Sequence, residues 1–468
     1  VTGVVLLWLV YIAGVNGSNG AHAKKAKPTR GRKAKSSPPP PDDSPLSRMP
    51  KSAQRKRFGI YYTPPAFTSL IVERTVDAIV DERFAALANQ HGVDPQARKD
   101  QNPKKLLGYW LACLDELKTI TVCDPACGSG AFLIRAYDAL DAHYKAVAHG
   151  LGGSGHDPEA LAALEDSIPD LILKHNLYGV DLSHEGVEIT QLALWIRTAR
   201  IGKSLADLSG HIVNGNSLVS DPAVDPKALD WHKTFPHIFG GTALQSGGPP
   251  SRGFTCVIGN PPWERVKVQD REFFSLTDPE TAEAVNASDR KKRIEAMPEA
   301  QPELHQKYLE ARERAQKMLD YARLPEKAGG RYPFTGKGDV NLYMLFAELA
   351  RSLVAPTGVV GLLVPSGIAT DDTTKDFFAD LMDTKRLVSL YDFENKEAHF
   401  EDVHRSFKFT ALVFGGDQLT SPNADFVFFA RDVDETAASN KQRHIPLTAA
   451  DMKLLNPNTR TCPIFRTR

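Results

Sequence analysis

The chain has 468 residues, 42% of them hydrophobic and 24% charged, ordinary values for a soluble globular protein with room for two or three domains. Its 57 basic and 57 acidic residues cancel, but residues 1–57 hold 12 Lys or Arg against Asp42 and Asp43, leaving 45 basic and 55 acidic residues beyond. A folded part at −10 excludes gripping a polyanion through overall charge, so a nucleic-acid target would need a local patch or a further domain.

Residues 4–15 are apolar but number only 12, too few to span a bilayer. Ala21-His22-Ala23 has the form of a signal cleavage site, yet a basic segment before the apolar run is missing and the chain begins with Val. A misassigned start or a fragment is the expectation. The Lys/Arg/Pro/Ser-rich remainder of residues 1–57 buries little apolar surface and is expected to be disordered, either a basic arm touching phosphates or a solvated tail. Cys113, Cys123, Cys127, Cys256 and Cys462 form no C-x-x-C pair and have no His cluster at zinc spacing. The expectation is a reduced, cytoplasmic protein with no metal and no membrane contact.

From residue 58 the pattern is that of a folded domain. A helix is predicted over 66–88, a strand over 119–123, a helix over 131–147, a strand over 177–181 and a helix over 186–199. Further strands are predicted at 211–214 and 254–259. Alternating strands and helices predict an α/β fold, a doubly wound, mostly parallel sheet with helices on both faces. The charged stretch 269–331 contains a helical run at 303–321 and reads as a helical insertion. The pattern then resumes with a helix at 341–354, a strand at 359–364, a helix at 375–382, and strands at 387–393, 409–414 and 426–430. The resulting domain plan is 1–57 disordered, 58–268 cofactor-binding half, 269–335 helical insertion, 336–435 remainder of the catalytic domain, and 436–468 a linker toward an absent target-recognition domain.

Three strand ends carry candidate ligand groups. Asp124-Pro125-Ala126-Cys127-Gly128-Ser129-Gly130 turns from strand to helix, and its glycines let the backbone pass close beneath a ligand. Asp181 ends the next strand, where a carboxylate either accepts from a ribose diol or caps the following helix. Asn214-Gly215-Asn216-Ser217 ends the third. These stretches resemble motifs I, II and III of the amino-methyltransferases, and Phe58-Gly59-Ile60-Tyr61-Tyr62-Thr63-Pro64-Pro65 resembles their motif X. Motif X before motif I is the order of the γ-class DNA adenine-N6 methyltransferases, and the likeness covers residues 58–416. It implies a Rossmann-like class I methyltransferase fold using S-adenosylmethionine. It places Tyr62 and Thr63 at the methionine moiety, Asp124, Ala126, Gly128 and Gly130 along the cofactor, Asp181 on the ribose and Asn216 at the adenine.

Asn260-Pro261-Pro262-Trp263 follows the strand at 254–259. An exocyclic amino group is a poor nucleophile because its lone pair is delocalised into the ring. The Asn260 oxygen and a proline carbonyl, aimed at its two N–H bonds, would favour pyramidalisation and stabilise developing positive charge. The prolines hold those carbonyls in place, and Trp263 offers a flat face for an extruded base. The tetrapeptide resembles motif IV of the same enzymes. Phe407, within a stretch resembling motif VIII, is either a second wall for the base or a core aromatic. The resemblance is to the large methylases of type IIG restriction–modification and of BREX and DISARM phage defence. It implies DNA as target and a separate specificity, nuclease or helicase subunit as partner. Two alternatives stay open: an RNA or protein-amide methyltransferase, and a non-catalytic cofactor- or DNA-binding subunit.

Overall fold

The computed structural model describes residues 63–96, 102–200, 204–240, 253–400 and 403–465. Tyr62, the basic segment 1–57 and residues 401–402 of the motif VIII stretch lie outside them. Nine strands form one sheet in the order β3-β2-β1-β4-β5-β7-β6-β8-β9. Along the chain these are β1 Val122–Asp124, β2 Leu177–Asp181, β3 Ile212–Asn214, β4 Phe254–Gly259, β5 Val354–Pro365, β6 Leu387–Glu394, β7 Lys408–Gly415, β8 Ala424–Ala430 and β9 Ile445–Leu447. The first five run parallel, while β7 lies antiparallel between β5 and β6. The order reverses beside β1. It is a doubly wound, mostly parallel sheet, so the carboxyl ends of β1 to β5 share one edge, the ligand-binding edge of such folds.

Side-chain alternation along the central strands explains the two cores. On β5, Val360, Leu362 and Val364 enter one apolar cluster while Val359 and Leu363 enter the other. On β4, Phe254 and Val257 face the first, and Cys256 and Ile258 the second. Buried on both faces, the strands read as nearly unbroken apolar runs, as parallel sheets require.

The second face is covered by α1 Pro65–Val72, α2 Ala78–His91, α3 Pro103–Thr119, α4 Ala131–Gly153, α5 Pro158–His175 and α6 His184–Thr198. A single π-helical turn, Glu73–Asp77, joins α1 to α2. Helix α1 and the π-helical turn lie directly on β5: a Cβ at Gly361 would come within 3.0 Å of Ile71 and 2.6 Å of Thr75. Helices α3 and α5 were not predicted. Both begin with Pro behind a capping side chain, Asn102 and Asp157, but α5 carries Pro169 in its interior, which reads as a break.

Residues 269–335 hold short helical turns followed by α7 Ala287–Ala300 and α8 Pro302–Ala322. Phe274, Ala282, Met297 and Tyr308 give this region a small core of its own. The sheet then resumes through α9 Leu342–Leu353, which runs straight into β5, and α10 Lys375–Asp383. The expected linker at 436–468 requires correction. Its described residues add β9, paired antiparallel to β8, and α11 Ala449–Leu455. Cys462 is buried, its backbone N–H donating to the Ala369 carbonyl at 2.7 Å. Too few apolar residues in a row hid a segment that packs through capping and sheet pairing. Among the described residues no helix is long and apolar enough to cross a membrane.

Candidate active site

A cavity of about 400 Å³ opens at the carboxyl edge of β1, β2 and β4. Its floor is the turn after β1. Gly128 and Gly130 have φ of +52° and +81°, backbone that side-chained residues rarely adopt. A Cβ on Gly130 would also stand 2.9 Å from Thr190 of α6, whose hydroxyl donates to the Gly128 carbonyl at 2.8 Å. Helix α4 starts at the next residue, and Ala131 and Phe132 of its first turn line the cavity.

Two carboxylates flank this turn. Asp181 ends β2 and accepts from the Gly128 N–H and the Ser183 N–H, both at 2.8 Å. Burial raises its pKa against those stabilising bonds. Each oxygen keeps a free lone pair, so the group can hold the loop and still accept from a diol. Asp124 is almost wholly buried and accepts from the Ala126 N–H at 3.0 Å. Burial pushes its carboxyl up to about 8, with the charge of Asp181 adding to the rise. Gly259 leaves room for it, since a Cβ there would lie 2.8 Å from Asp124 Oδ1.

Asn216 lines the cavity, but its side chain is engaged, donating to Asp225 at 2.7 Å and accepting from the Leu218 N–H at 3.0 Å. Ser217 donates to the Pro125 carbonyl at 2.6 Å, tying the third strand end to the first. Thr63 and Asn260 meet at the other end of the cavity, where Asn260 Nδ2 donates to Thr63 Oγ1 at 3.1 Å. Asn260 Oδ1 is buried with no hydrogen-bond partner. Pro262 lines the cavity and Pro261 is buried beside it.

Trp263 lies at the junction of both apolar clusters, its Nε1–H donating to the Leu363 carbonyl at 3.4 Å. Phe407, a half-exposed side chain, stacks on it with ring centroids 5.6 Å apart and planes 15° from parallel. The structure thus brings together Thr63, Asp124, Ala126, Gly128, Asp181, Asn216, Asn260 and Pro262 around one cavity, with Gly130 capping the helix beneath and the Trp263–Phe407 pair alongside.

Residues 175–294 match the family model described as Eco57I restriction-modification methylase. The matched stretch includes β2, the Asn216 turn and the Asn260 tetrapeptide. A protein of Methanocaldococcus jannaschii named for a type II restriction enzyme and methyltransferase is 34% identical over 150 residues, 30% of this chain and 12% of that protein. Similar solved structures include the type IIL restriction-modification enzyme MmeI in complex with DNA, at TM-score 0.47 and 16% identity over 82% of this chain and 40% of that one. The ATP-dependent type ISP enzyme LlaBIII bound to DNA gives 0.44 and 11% over 85% and 22%. The chain spans less than half the length of each of these relatives.

Sequence reasoning passed over four cavity residues: Leu182, Met318, Leu342 and Phe346. Leu342 and Phe346 stand four apart on α9, a spacing that read only as a core stripe. Leu182 follows Asp181 and is half-exposed, an apolar side chain left at a polar rim. Met318 comes from α8, and nothing local to that charged helix signals a cavity wall.

Proposed function

We propose that the chain transfers a methyl group from S-adenosylmethionine to N6 of an adenine extruded from DNA, in a restriction–modification setting. The observation that carries this reading is Asn260: its Nδ2 is committed to Thr63 while Oδ1 is buried without a partner at the cavity. A buried acceptor left unmade costs about 1–3 kcal/mol. It fits a site whose partner arrives with the substrate.

The cavity suits the cofactor in shape and chemistry. Gly128 and Gly130 allow close approach, Asp181 can accept from a ribose, Asp124 can face a cationic amino group, and Leu182 and Phe346 offer apolar walls. When bound, S-adenosylmethionine supplies an activated methyl group on a sulfonium. Asn260 Oδ1 would accept from the target amino group and draw its nitrogen out of conjugation. As the N–C bond would form and the methyl C–S bond would break, leaving the neutral thioether, that oxygen would stabilise the positive charge on nitrogen, and the surplus proton would pass to solvent. Trp263 would stack the extruded base with its amino group toward Asn260. A covalent intermediate has no support: Cys256 is buried within β4 and its thiol is pushed up to about 12.

The test supplies labelled S-adenosylmethionine to unmodified DNA, RNA and protein, and identifies the modified base. Label in DNA as N6-methyladenine, falling about 100-fold or more in Asn260→Ala, is the expected result. Label confined to RNA or protein, or undiminished transfer by Asn260→Ala, would refute it.

A further inference from the structure

We propose that Asn395 is a positioning residue for the target base, acting through Phe407. The inference rests on the base-binding reading above. Asn395 directly follows β6 and is fully buried. Its Nδ2 donates to the carbonyls of Phe400 at 2.9 Å and Val403 at 2.8 Å, and its Oδ1 accepts from the Phe400 N–H at 3.0 Å. Its backbone N–H donates to the Phe407 carbonyl at 3.1 Å. One residue therefore ties down Phe400, Val403 and Phe407. A buried amide satisfied wholly by backbone fixes a chain path, because each bond lost strands a buried polar group.

What this path positions is aromatic. Phe400 packs against Trp263 at 5.2 Å, against Phe409 at 5.0 Å and against Phe67 at 6.1 Å. Phe67 belongs to α1, which begins two residues after Thr63, the partner of Asn260. Phe407 is the half-exposed member that reaches over Trp263. Ala398, on the same path, has φ of +55°, a conformation that costs an alanine energy and that the surrounding bonds maintain. The two ring centroids stand 5.6 Å apart, too close for a base to enter between them. The Phe407 side chain has to yield on base entry, and a fixed backbone root lets it yield without losing the second wall.

The experiment compares Asn395→Ala, Asn395→Asp, Phe407→Ala and the Asn395→Ala/Phe407→Ala double variant of the full chain. It uses single-turnover methylation of unmodified DNA, the KM for S-adenosylmethionine, and S-adenosylhomocysteine affinity. The expected result is a rate lowered about tenfold in Asn395→Ala, with KM and S-adenosylhomocysteine affinity within about twofold of the parent. The double variant is expected to be no slower than Phe407→Ala alone, and Asn395→Asp, which keeps the acceptor for the Phe400 N–H but loses both donors, to be at least as slow as Asn395→Ala. Additive losses, or an unchanged rate in Asn395→Ala, would overturn the proposal while leaving the base-binding reading intact. Loss of S-adenosylhomocysteine binding in both Asn395 variants would assign the residue to the fold and overturn it too. Full activity of Phe407→Ala would remove Phe407 as a wall for the base, and this inference with it, while leaving the role of Trp263 standing.

Discussion

The two ends of the cavity differ in how their polar groups are spent. At the end built by β1, β2 and β3, Asp181 accepts from two backbone N–H groups, Asn216 is bonded through both its amide atoms, and Ser217 ties one strand end to another. At the end built by β4 and the chain before β7, Asn260 keeps an acceptor in reserve and two aromatic rings cover each other. Internal bonds shape the first end before any ligand arrives. The second holds back the groups that a substrate would use. Under the proposed function the first end would hold the cofactor and the second the target, a division that suits a reaction controlled by positioning.

Removing the key bond of the rigid end gives the largest expected effect. Asp181→Ala takes away the acceptor of both Gly128 and Ser183, and S-adenosylhomocysteine affinity should fall about 100-fold or more, two unmade hydrogen bonds to a charged group. Isothermal titration checks this. An affinity within threefold of the parent would show that the loop after β1 holds its shape without Asp181.

Acid–base behaviour sharpens the contrast next. The Asp124 carboxyl has a folded-state pKa of about 8 against an ordinary value of 3.8, with burial the main cause. Between those values the folded chain holds a proton that the unfolded chain has lost. Its stabilising contribution is therefore complete below about 4, declines as pH rises toward 8, and is gone above it. The slope for one such group is at most about 1.4 kcal/mol per pH unit. Urea midpoints measured from pH 6 to 9 should fall and then level, and Asp124→Asn should flatten the curve. An unchanged slope in that variant would move the effect to another buried acid, such as Glu348 or Asp392, whose pKa values burial also raises.

Much of this contrast was legible in the sequence, and the part that was not has a physical reason. Strands β2 and β4 were read to the residue because apolar runs ending in Asp181 and in Asn260-Pro261 mark their own boundaries. The glycine turn and the tetrapeptide announced themselves because chemistry restricts which residues can stand there. Met318 and Tyr332 gave no such signal. Their roles depend on where a helical insertion folds back, a long-range fact that no local spacing encodes. Asn395 was equally silent, since an Asn after a strand is ordinary turn chemistry until its four bonds are seen.

Thr63→Val tests the open end of the cavity. It removes the bond that orients Asn260 without creating a large void, and a hydrogen bond of this kind is worth about 1 kcal/mol. The methylation rate should drop about fivefold while S-adenosylhomocysteine affinity changes by less than twofold. Equal losses in both would mean that Thr63 serves the cofactor and not the acceptor.

The smallest effect concerns the rigid end again, reached from far away in sequence. Tyr332 is fully buried and donates its hydroxyl to the Leu218 carbonyl at 2.6 Å, while Tyr321, the penultimate residue of α8, meets Ser220 Oγ at 2.9 Å. Both hold the chain segment after Asn216 from outside the cavity, and Met318 of the same helix lines the wall. The insertion thereby supports the β1–β3 end of the cavity although its sequence resembles a surface appendage. Tyr332→Phe keeps the ring and its packing and removes only the hydroxyl, so affinity for S-adenosylhomocysteine should weaken about threefold, the lower part of the range for one hydrogen bond. The rate at saturating cofactor should stay within twofold. A fall in that rate with affinity intact would mean the insertion works on the target end instead, and the division between the two ends of the cavity would have to be redrawn through α8.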